Sequence, residues 1–182
     1  MIKKVYISAN ELQEKSFELA KMIWDDGYYP NFLIGIWRGG TPPGIVIHEF
    51  LVYKGIKPYH TSIKTQSYTG IMSTGPVEIK GIDHVIDRVN SEDRMLLIDD
   101  VFDTGKTMVE VIRVIKAKAR KNAPEIRVAT VYYKPSRNQT DITPDYYACT
   151  NDNWLVFPHE LEGLTKEEIM EKNPRIFKYL YD

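Results

Sequence analysis

Three carboxylates and an anion-binding loop lie close together between Asp99 and Thr107. An apolar run ends at Asp99 and Asp100, and Asp103 then opens the segment Asp-Thr-Gly-Lys-Thr. A helix that begins in this segment would offer unpaired backbone N–H groups and a positive dipole end, both of which favour a phosphate. The two preceding carboxylates would repel a phosphate, but they suit sugar hydroxyls or a sugar-bound cation. A phosphate with hydroxyls beside it describes a ribose 5-phosphate.

The end of this segment, Gly-Lys-Thr, also invites comparison with the P-loop of nucleoside-triphosphate-binding proteins. That pattern, Gly-x-x-x-x-Gly-Lys-Ser/Thr, would require a glycine at position 100. The residue there is Asp100, a carboxylate where phosphate oxygens should bind, so the P-loop interpretation fails. A plain acidic helix-capping loop, with Asp103 as the cap, is disfavoured because two acids at a buried strand end are costly without a ligand or partner.

The surrounding segments predict an α/β fold with a mostly parallel, twisted sheet flanked by helices. Short apolar or alternating runs predict strands over 31–37, 57–64, 94–99, 126–133 and 145–150. Strands that alternate with helices favour a parallel sheet covered on both faces. Because ligands bind beyond the carboxyl ends of such strands, the loops after Trp37, Asp99 and Tyr133 are expected to converge on one rim.

Helix starts are indicated by residues with capping side chains or capping-box spacing. These caps are Ser8, Thr41 and Thr165. The helix after Thr41 is predicted to carry residues 45–54, and another helix is predicted over 106–122. Residues 65–80 are rich in Thr, Ser and Gly, which indicates a long excursion or hairpin of the kind that is usually functional or mobile.

The bulk composition limits the class of protein. The 182 residues are 43% hydrophobic and 27% charged, as expected for a single domain over residues 1–182. A formal net charge of -1 gives no electrostatic footprint for nucleic acid or an anionic membrane. The single cysteine, Cys149, excludes an intrachain disulfide, and no apolar run approaches the roughly 20 residues that span a bilayer. A cytoplasmic protein with no nucleic-acid or membrane partner is expected.

Four apolar residues, two acids, two further residues and then Asp-Thr-Gly-x-Thr resemble the phosphoribosyl-pyrophosphate signature of the type I phosphoribosyltransferases. The resemblance implies that Asp99 and Asp100 lie near the ribose hydroxyls and near Mg2+, which they would hold mostly through water. It implies a 5'-phosphate site made of Asp103, Thr104, Gly105, Lys106 and Thr107. Asp103 is in addition the expected catalytic general base.

Two further segments match the pattern of this family. The pyrophosphate loop is expected after the first sheet strand, at Trp37, Arg38, Gly39 and Gly40. Its glycines would expose backbone amides to the anion, and its arginine would add a charge-assisted hydrogen bond. The pair Ser67-Tyr68 resembles one that hypoxanthine-guanine members carry on a flexible loop, which closes over the reacting centre and excludes water. An ordinary polar hairpin is the alternative for this pair.

The base-binding residues resemble those of the 6-oxopurine (hypoxanthine/xanthine-guanine) phosphoribosyltransferases. Lys134 follows a strand, where the family places a lysine that donates to the purine 6-oxygen. Trp154 matches the aromatic residue that stacks on the base, and backbone groups of Leu155 would face purine C2. A tryptophan that fills a gap in the core is the alternative for Trp154. His159-Glu160 departs from the Trp-Asp pair of the bacterial enzymes, so the preferred base stays open.

The resemblance, which covers about residues 32–160, implies a purine salvage transferase. Its substrates would be phosphoribosyl pyrophosphate and a purine base, with Mg2+ as cofactor. The family fold implies a core over about 28–150, a small hood from the N- and C-terminal segments, a flexible loop, and a homodimer or larger homo-oligomer. Two alternatives remain: a phosphoribosyl-pyrophosphate-binding regulator of the same fold, and a transferase for another base such as adenine, uracil or orotate.

Overall fold

The computed structural model describes residues 4–66 and 78–182. Ser67 and Tyr68, expected on a flexible loop, lie outside these ranges. The strands of the described part are β1 (Lys4–Tyr6), β2 (Phe32–Trp37), β3 (Tyr59–Gln66), β4 (Glu78–Lys80), β5 (Arg94–Phe102), β6 (Glu125–Tyr133), β7 (Tyr146–Thr150) and β8 (Trp154–Val156). The α-helices there are α1 (Ala9–Asp25), α2 (Thr41–Tyr53), α3 (Asp83–Ile86), α4 (Lys106–Ala119), α5 (Lys166–Lys172) and α6 (Pro174–Tyr181).

The main sheet has six strands in the order β4-β3-β2-β5-β6-β7. Every neighbouring pair is parallel except β3 with β4, which is antiparallel at one edge. The predicted α/β class with a mostly parallel sheet is confirmed. Since the carboxyl ends of β2, β5 and β6 lie side by side, the loops that follow them share one rim, as the sequence predicts.

The central strands are apolar without interruption because both of their faces are buried. In β5, Leu96 and Ile98 pack on one face with Leu19 of α1, Ile47 of α2 and their neighbours. Leu97, between them in sequence, packs on the other face with α4 and α3. Because successive side chains of a strand point to opposite faces, these residues of β5 contribute to two separate cores, and the sheet is packed on both faces.

The start of α2 differs from the prediction. Thr41 was expected as the capping residue, but the helix begins at Thr41 itself, and Gly40 occupies the cap position without a side-chain hydrogen bond. Pro42 and Pro43 fit the first helical turn, where a missing N–H leaves no hydrogen bond unmade. The loop between β2 and α2 is therefore only residues 38–40, which keeps it rigid and close to the sheet.

Two other elements have different bounds from the prediction. The strand expected to end at Asp99 continues to Phe102, pairing along β6 as far as Tyr133. The helix expected over 106–122 ends at Ala119 and is followed by a short 3-10 turn. The longer β5 therefore carries both Asp99 and Asp100 within the strand, ahead of the turn that begins at Asp103.

A separate two-stranded sheet covers the rim. Here β1 and β8 pair in parallel, with Lys4 opposite Trp154. Lys4 Nζ also lies 2.5 Å from Glu168 Oε1 on α5, whose start is fixed by the predicted capping box of Thr165 and Glu168. The two ends of the chain therefore meet above the main sheet. None of the helices within 4–66 and 78–182 is long and apolar enough to cross a membrane.

A polar cluster lies at the amino ends of β6 and β7, at the other end of these strands from the rim. Arg127 at the start of β6 forms an ion pair with Asp26 at 2.5 Å, and its guanidinium lies 4.3 Å from the ring centroid of Tyr28. The hydroxyl of Tyr146 donates to Asp26 Oδ2 at 2.7 Å. The hydrogen bonds from Tyr146 and then Arg127 lower the pKa of the Asp26 carboxyl. This cluster ties the end of α1 to β6 and β7.

We expect Asp26→Asn to lower the unfolding temperature at neutral pH. Because the folded-state pKa lies below the ordinary value of 3.8, the stability from Asp26 is fully present above that value and lost as the pH falls through the lowered pKa. The difference from wild type should therefore shrink only in strongly acidic solution, as followed by thermal denaturation across pH. Asp25→Asn, which removes an exposed helix-surface pair with Lys21, is the matched control and should change little. Equal effects from both variants would contradict the role of the cluster.

Candidate functional site

A cleft of ≈ 420 Å³ opens at the carboxyl ends of the strands, between the rim and the small sheet. The main sheet contributes Asp100, Asp103 and Lys134 to its wall, and the small sheet contributes Trp154 and Leu155. These residues are far apart in sequence, and the parallel sheet with its covering strands brings them together. We take this cleft as the candidate active site.

The loop of residues 38–40 packs directly on the end of β5. A Cβ atom at Gly40 would overlap with the carbonyl oxygen of Ile98, and one at Gly39 would overlap with the carboxylate of Asp100. Only glycine leaves room for this approach. The Trp37–Arg38 peptide bond is cis, and the side chains of Trp37 and Arg38 are about half exposed. The loop and the acidic end of β5 thus form one continuous surface.

Asp99 and Asp100 occupy the end of β5 with little exposure to solvent. Burial, followed by the charge of Asp100, raises the pKa of the Asp99 carboxyl well above its usual range. The backbone N–H of Asp100 donates to Asp99 Oδ1 at 3.0 Å. Asp100, itself buried, has Nε2 of His159 3.4 Å from its Oδ2. The pair is an acidic centre that a cation or sugar hydroxyls would stabilise.

Asp103 lies between two cations. Lys134 Nζ donates to its Oδ2 at 3.2 Å, and Arg137 Nε donates to its Oδ1 at 2.5 Å. Lys134 is only 7% exposed, so its ammonium is held inside the wall of the cleft rather than solvated beyond the strand end. The backbone N–H of Lys134 donates to the carbonyl of Phe102 at 3.0 Å, which fixes the lysine beside β5.

Residues 103–107 form the turn that opens α4. Gly105 is the cap residue and has a φ of +79°, which a residue with a side chain adopts only under strain. A Cβ atom there would also lie 2.5 Å from the Thr140 hydroxyl. The carbonyl of Thr104 accepts a hydrogen bond from the Gln139 N–H at 3.1 Å, so the turn is anchored to the loop after β6. The positive end of α4, which begins at Lys106, follows directly after Asp103.

Trp154 and Leu155 form the facing wall. Trp154 is 54% exposed and lines the cleft, so the alternative that it fills a gap in the core is wrong. Leu155 is buried between the small sheet and the main core. An exposed aromatic face at the mouth of a polar cleft is suited to stacking on a flat ligand.

The family model described as "Phosphoribosyl transferase domain" matches residues 8–162. The chain belongs to this family.

Relatives of this phosphoribosyltransferase extend the likeness over 89–96% of its length. A hypoxanthine-guanine phosphoribosyltransferase of Lactococcus lactis is 26% identical over 182 residues, which cover 96% of this chain and 90% of the relative. The crystal structure of a purine phosphoribosyltransferase from Pyrococcus horikoshii is similar with a TM-score of 0.66 and 30% identity, covering 89% of this chain and 97% of that one. A xanthine-guanine-hypoxanthine phosphoribosyltransferase of Helicobacter pylori, 20% identical with a TM-score of 0.67 and coverage of 96% and 99%, shares the fold. The expected type I phosphoribosyltransferase fold is thus confirmed.

Most of the residues that the sequence singles out meet at this rim. The cleft is surrounded or adjoined by the acidic pair, the turn at residues 103–107, the loop at 37–40, Lys134 and the Trp154 segment. Their individual roles stay predictions, and Ser67-Tyr68 lies outside the described residues. Sequence reasoning missed Arg137, which follows Lys134 by one short turn in "KPSR". It also assigned no role to His159, although His159-Glu160 replaces the Trp-Asp pair of the bacterial enzymes, which was a signal that this position differs.

Two glycine variants separate the stability of the loop from its chemistry. Gly40→Ala sets a methyl group against backbone atoms that cannot move aside, and we expect it to lower the free energy of unfolding by about 1–3 kcal/mol and to reduce activity. Gly39→Ala sets a methyl group against the movable carboxylate of Asp100, so it should reduce activity with a smaller loss of stability. Chemical denaturation and steady-state kinetics of both variants would check this. The packing argument is wrong if Gly40→Ala is as stable as wild type.

Proposed function

We propose that this phosphoribosyltransferase converts a 6-oxopurine base and phosphoribosyl pyrophosphate to the nucleoside 5'-monophosphate and pyrophosphate. The observation that carries this proposal is the juxtaposition of Lys134, Asp103 and Trp154 in one cleft with the acidic pair. The name of the Lactococcus relative supports a 6-oxopurine, and that of the Pyrococcus relative supports a purine.

The Lys134–Asp103 pair matches one edge of a 6-oxopurine. O6 of such a base accepts a hydrogen bond and the neighbouring N7, when protonated, donates one. Lys134 offers only donors and an ionised Asp103 only acceptors, and their polar atoms are 3.2 Å apart. An adenine amino group at position 6 would instead meet a second donor. The pair therefore selects oxo over amino purines.

The opposite parts of the base would contact β8. The exposed indole of Trp154 provides a stacking face, and the backbone at Leu155 would face the substituent on C2. Lys4, which is opposite Trp154 in the register of the small sheet, also lines this wall. Hydrogen-bonding groups at this place would set the choice among hypoxanthine, guanine and xanthine.

Phosphoribosyl pyrophosphate would span the rest of the rim. Its 5'-phosphate fits the N–H groups of residues 103–107 at the start of α4, and its pyrophosphate fits the exposed amides of residues 38–40 and the side chain of Arg38. The ribose hydroxyls would then lie beside Asp99 and Asp100.

The acidic pair also fits Mg2+ bound with the substrate. Carboxylate oxygens are suitable ligands, and the raised pKa of Asp99 beside Asp100 marks a place where a cation relieves repulsion. Within the described ranges no cluster of three or more His, Cys, Asp or Glu side chains forms a metal site, so water and substrate oxygens would complete the shell. Held there by Asp99 and Asp100, Mg2+ would supply positive charge that offsets the negative charge of the leaving pyrophosphate.

The chain's own residues account for the chemical step. As the bond from ribose C1 to pyrophosphate lengthens, Arg38 and the amides of Gly39 and Gly40 stabilise the leaving anion. Asp103 holds or takes the proton at N7 while N9 attacks C1. Lys134 leaves its contact with Asp103 to donate to O6. Arg137 remains on Asp103 and keeps that carboxylate in place.

A panel of bases tests this function. Purified enzyme with phosphoribosyl pyrophosphate and Mg2+ should form nucleotide from hypoxanthine, guanine or xanthine and little or none from adenine, followed by ultraviolet absorbance and pyrophosphate release. Activity with adenine alone would overturn the assignment of Lys134. Binding of phosphoribosyl pyrophosphate with no turnover of any base would favour the regulator.

Asp103→Asn separates catalysis from binding. We expect kcat to fall by about 10²–10⁴-fold, the usual range for loss of a general base, with a much smaller change in affinity for phosphoribosyl pyrophosphate. Steady-state kinetics and direct calorimetric binding give the two quantities. Asp152→Asn, another carboxylate that lines the cleft and that accepts a hydrogen bond from the Ser136 N–H, is a matched control that should retain most of kcat. Equal losses of turnover and affinity in Asp103→Asn would make Asp103 a structural residue.

The assembly state stays a prediction. A homodimer or larger homo-oligomer is consistent with large apolar side chains exposed on α2, among them Ile45 and Tyr53. The expected partners remain the two substrates alone, without nucleic acid or membrane, in the cytoplasm.

A further inference from the structure

We propose that His159 is a positioning residue for Asp100: its Nε2–H donates to the carboxylate and fixes the direction in which that carboxylate faces the ribose and its cation. The inference rests on the proposed function and adds to it a residue that the family pattern does not supply.

The turn of residues 157–160 is held by three hydrogen bonds that involve two side chains. Oε2 of Glu160 accepts a hydrogen bond from the backbone N–H of Phe157 at 2.9 Å, closing the turn on itself. Lys172 Nζ on α5 donates to the carbonyl of Phe157 at 2.7 Å and to that of Glu160. These contacts give Glu160 a structural role and leave His159 at the tip of a fixed turn.

The imidazole of His159 is itself held in orientation. Its ring stacks on that of Phe157, with centroids 5.8 Å apart and planes inclined by only 13°. Phe157 is 2% exposed and packs in the core that also holds Leu155, so the stacking partner does not move. The ring is thus presented to Asp100 by a rigid support.

Asp100 has few ways to turn. Its carboxylate is 3.4 Å from His159 Nε2 on one side and is packed against Gly39 Cα on the other, where a Cβ atom would overlap with it. A buried carboxylate without a hydrogen-bond donor is costly. The Nε2 of His159 is placed to donate to Oδ2, while Gly39 lies close to both carboxylate oxygens.

The two nitrogens of the ring have different surroundings. Nδ1 of His159 is buried and has no hydrogen-bond partner in the described part of the chain, whereas Nε2 faces Asp100. The proton is assigned to Nε2 on this contact. Groups that hold a cation-binding carboxylate in place control affinity without touching the substrate themselves, and losing one typically reduces affinity or activity about 10–100-fold.

The test compares two amides of different length. The amide nitrogen of a glutamine side chain reaches the place of Nε2, while that of asparagine reaches only the place of Nδ1. We therefore expect His159→Gln to keep the affinity for phosphoribosyl pyrophosphate and the Mg2+ requirement within a few-fold. His159→Asn and His159→Leu should raise the KM for phosphoribosyl pyrophosphate and the Mg2+ needed for half-maximal rate by about 10–100-fold. The KM for the purine base should change little in all three.

A second measurement keeps the outcomes distinct. Calorimetric titration of wild type and each variant with phosphoribosyl pyrophosphate and Mg2+ reports binding without turnover, and thermal denaturation reports folding. Equal affinities in wild type, His159→Gln and His159→Asn would overturn the role of His159 and leave the proposed function intact. The role of His159 would also be overturned if all three variants lost affinity equally and their unfolding temperatures fell to the same extent. A wild type that binds phosphoribosyl pyrophosphate but uses no base would overturn the proposed function alone, since the binding differences would still report on His159.

Discussion

The close contact between the backbone of residues 38–40 and the end of β5 is the constraint on which the site depends. Gly40 lies against the carbonyl of Ile98, and Gly39 lies against the carboxylate of Asp100. The short loop permits this because α2 begins directly at Thr41. The loop that we propose to bind pyrophosphate and the acidic pair are thereby held side by side. The proposed substrate, with its phosphate groups and an accompanying cation, would fit both of them.

Electrostatic compensation within the site follows from the same geometry. Asp103 is already occupied by Lys134 and Arg137, and Asp100 by His159. Asp103 therefore has two hydrogen-bond donors before any ligand arrives, and Asp100 has Nε2 of His159 3.4 Å away, which limits the cost of burying these carboxylates. Asp99 is different: burial and the charge of Asp100 raise its pKa, so it is the member of the group that gains most from a bound cation. A cation bound with the substrate would relieve the repulsion between Asp99 and Asp100.

Much of the architecture follows from local patterns in the sequence. Uninterrupted apolar runs such as Phe32–Ile36 predict strands buried on both faces, and capping residues Ser8 and Thr165 predict helix starts, because these signals depend only on neighbours along the chain. The acidic turn at 99–107 is informative for the same reason. Thr41 was misassigned because Gly40 takes the cap position through tertiary contact with β5. The pairing of β1 with β8 and the contacts of Arg137 and His159 depend on long-range packing, which no local pattern encodes.

The parallel pairing of β1 with β8 has a consequence for the order of folding. Lys4 and Trp154 are adjacent in space but lie near opposite ends of the chain, so their contact closes a very long loop. Contacts of this kind form late, after the shorter-range pairing of β2, β5 and β6 has built the main sheet. The wall that would hold the base is therefore among the last parts to assemble. During synthesis on the ribosome, β1 has to wait for nearly the whole chain to emerge before it finds its partner.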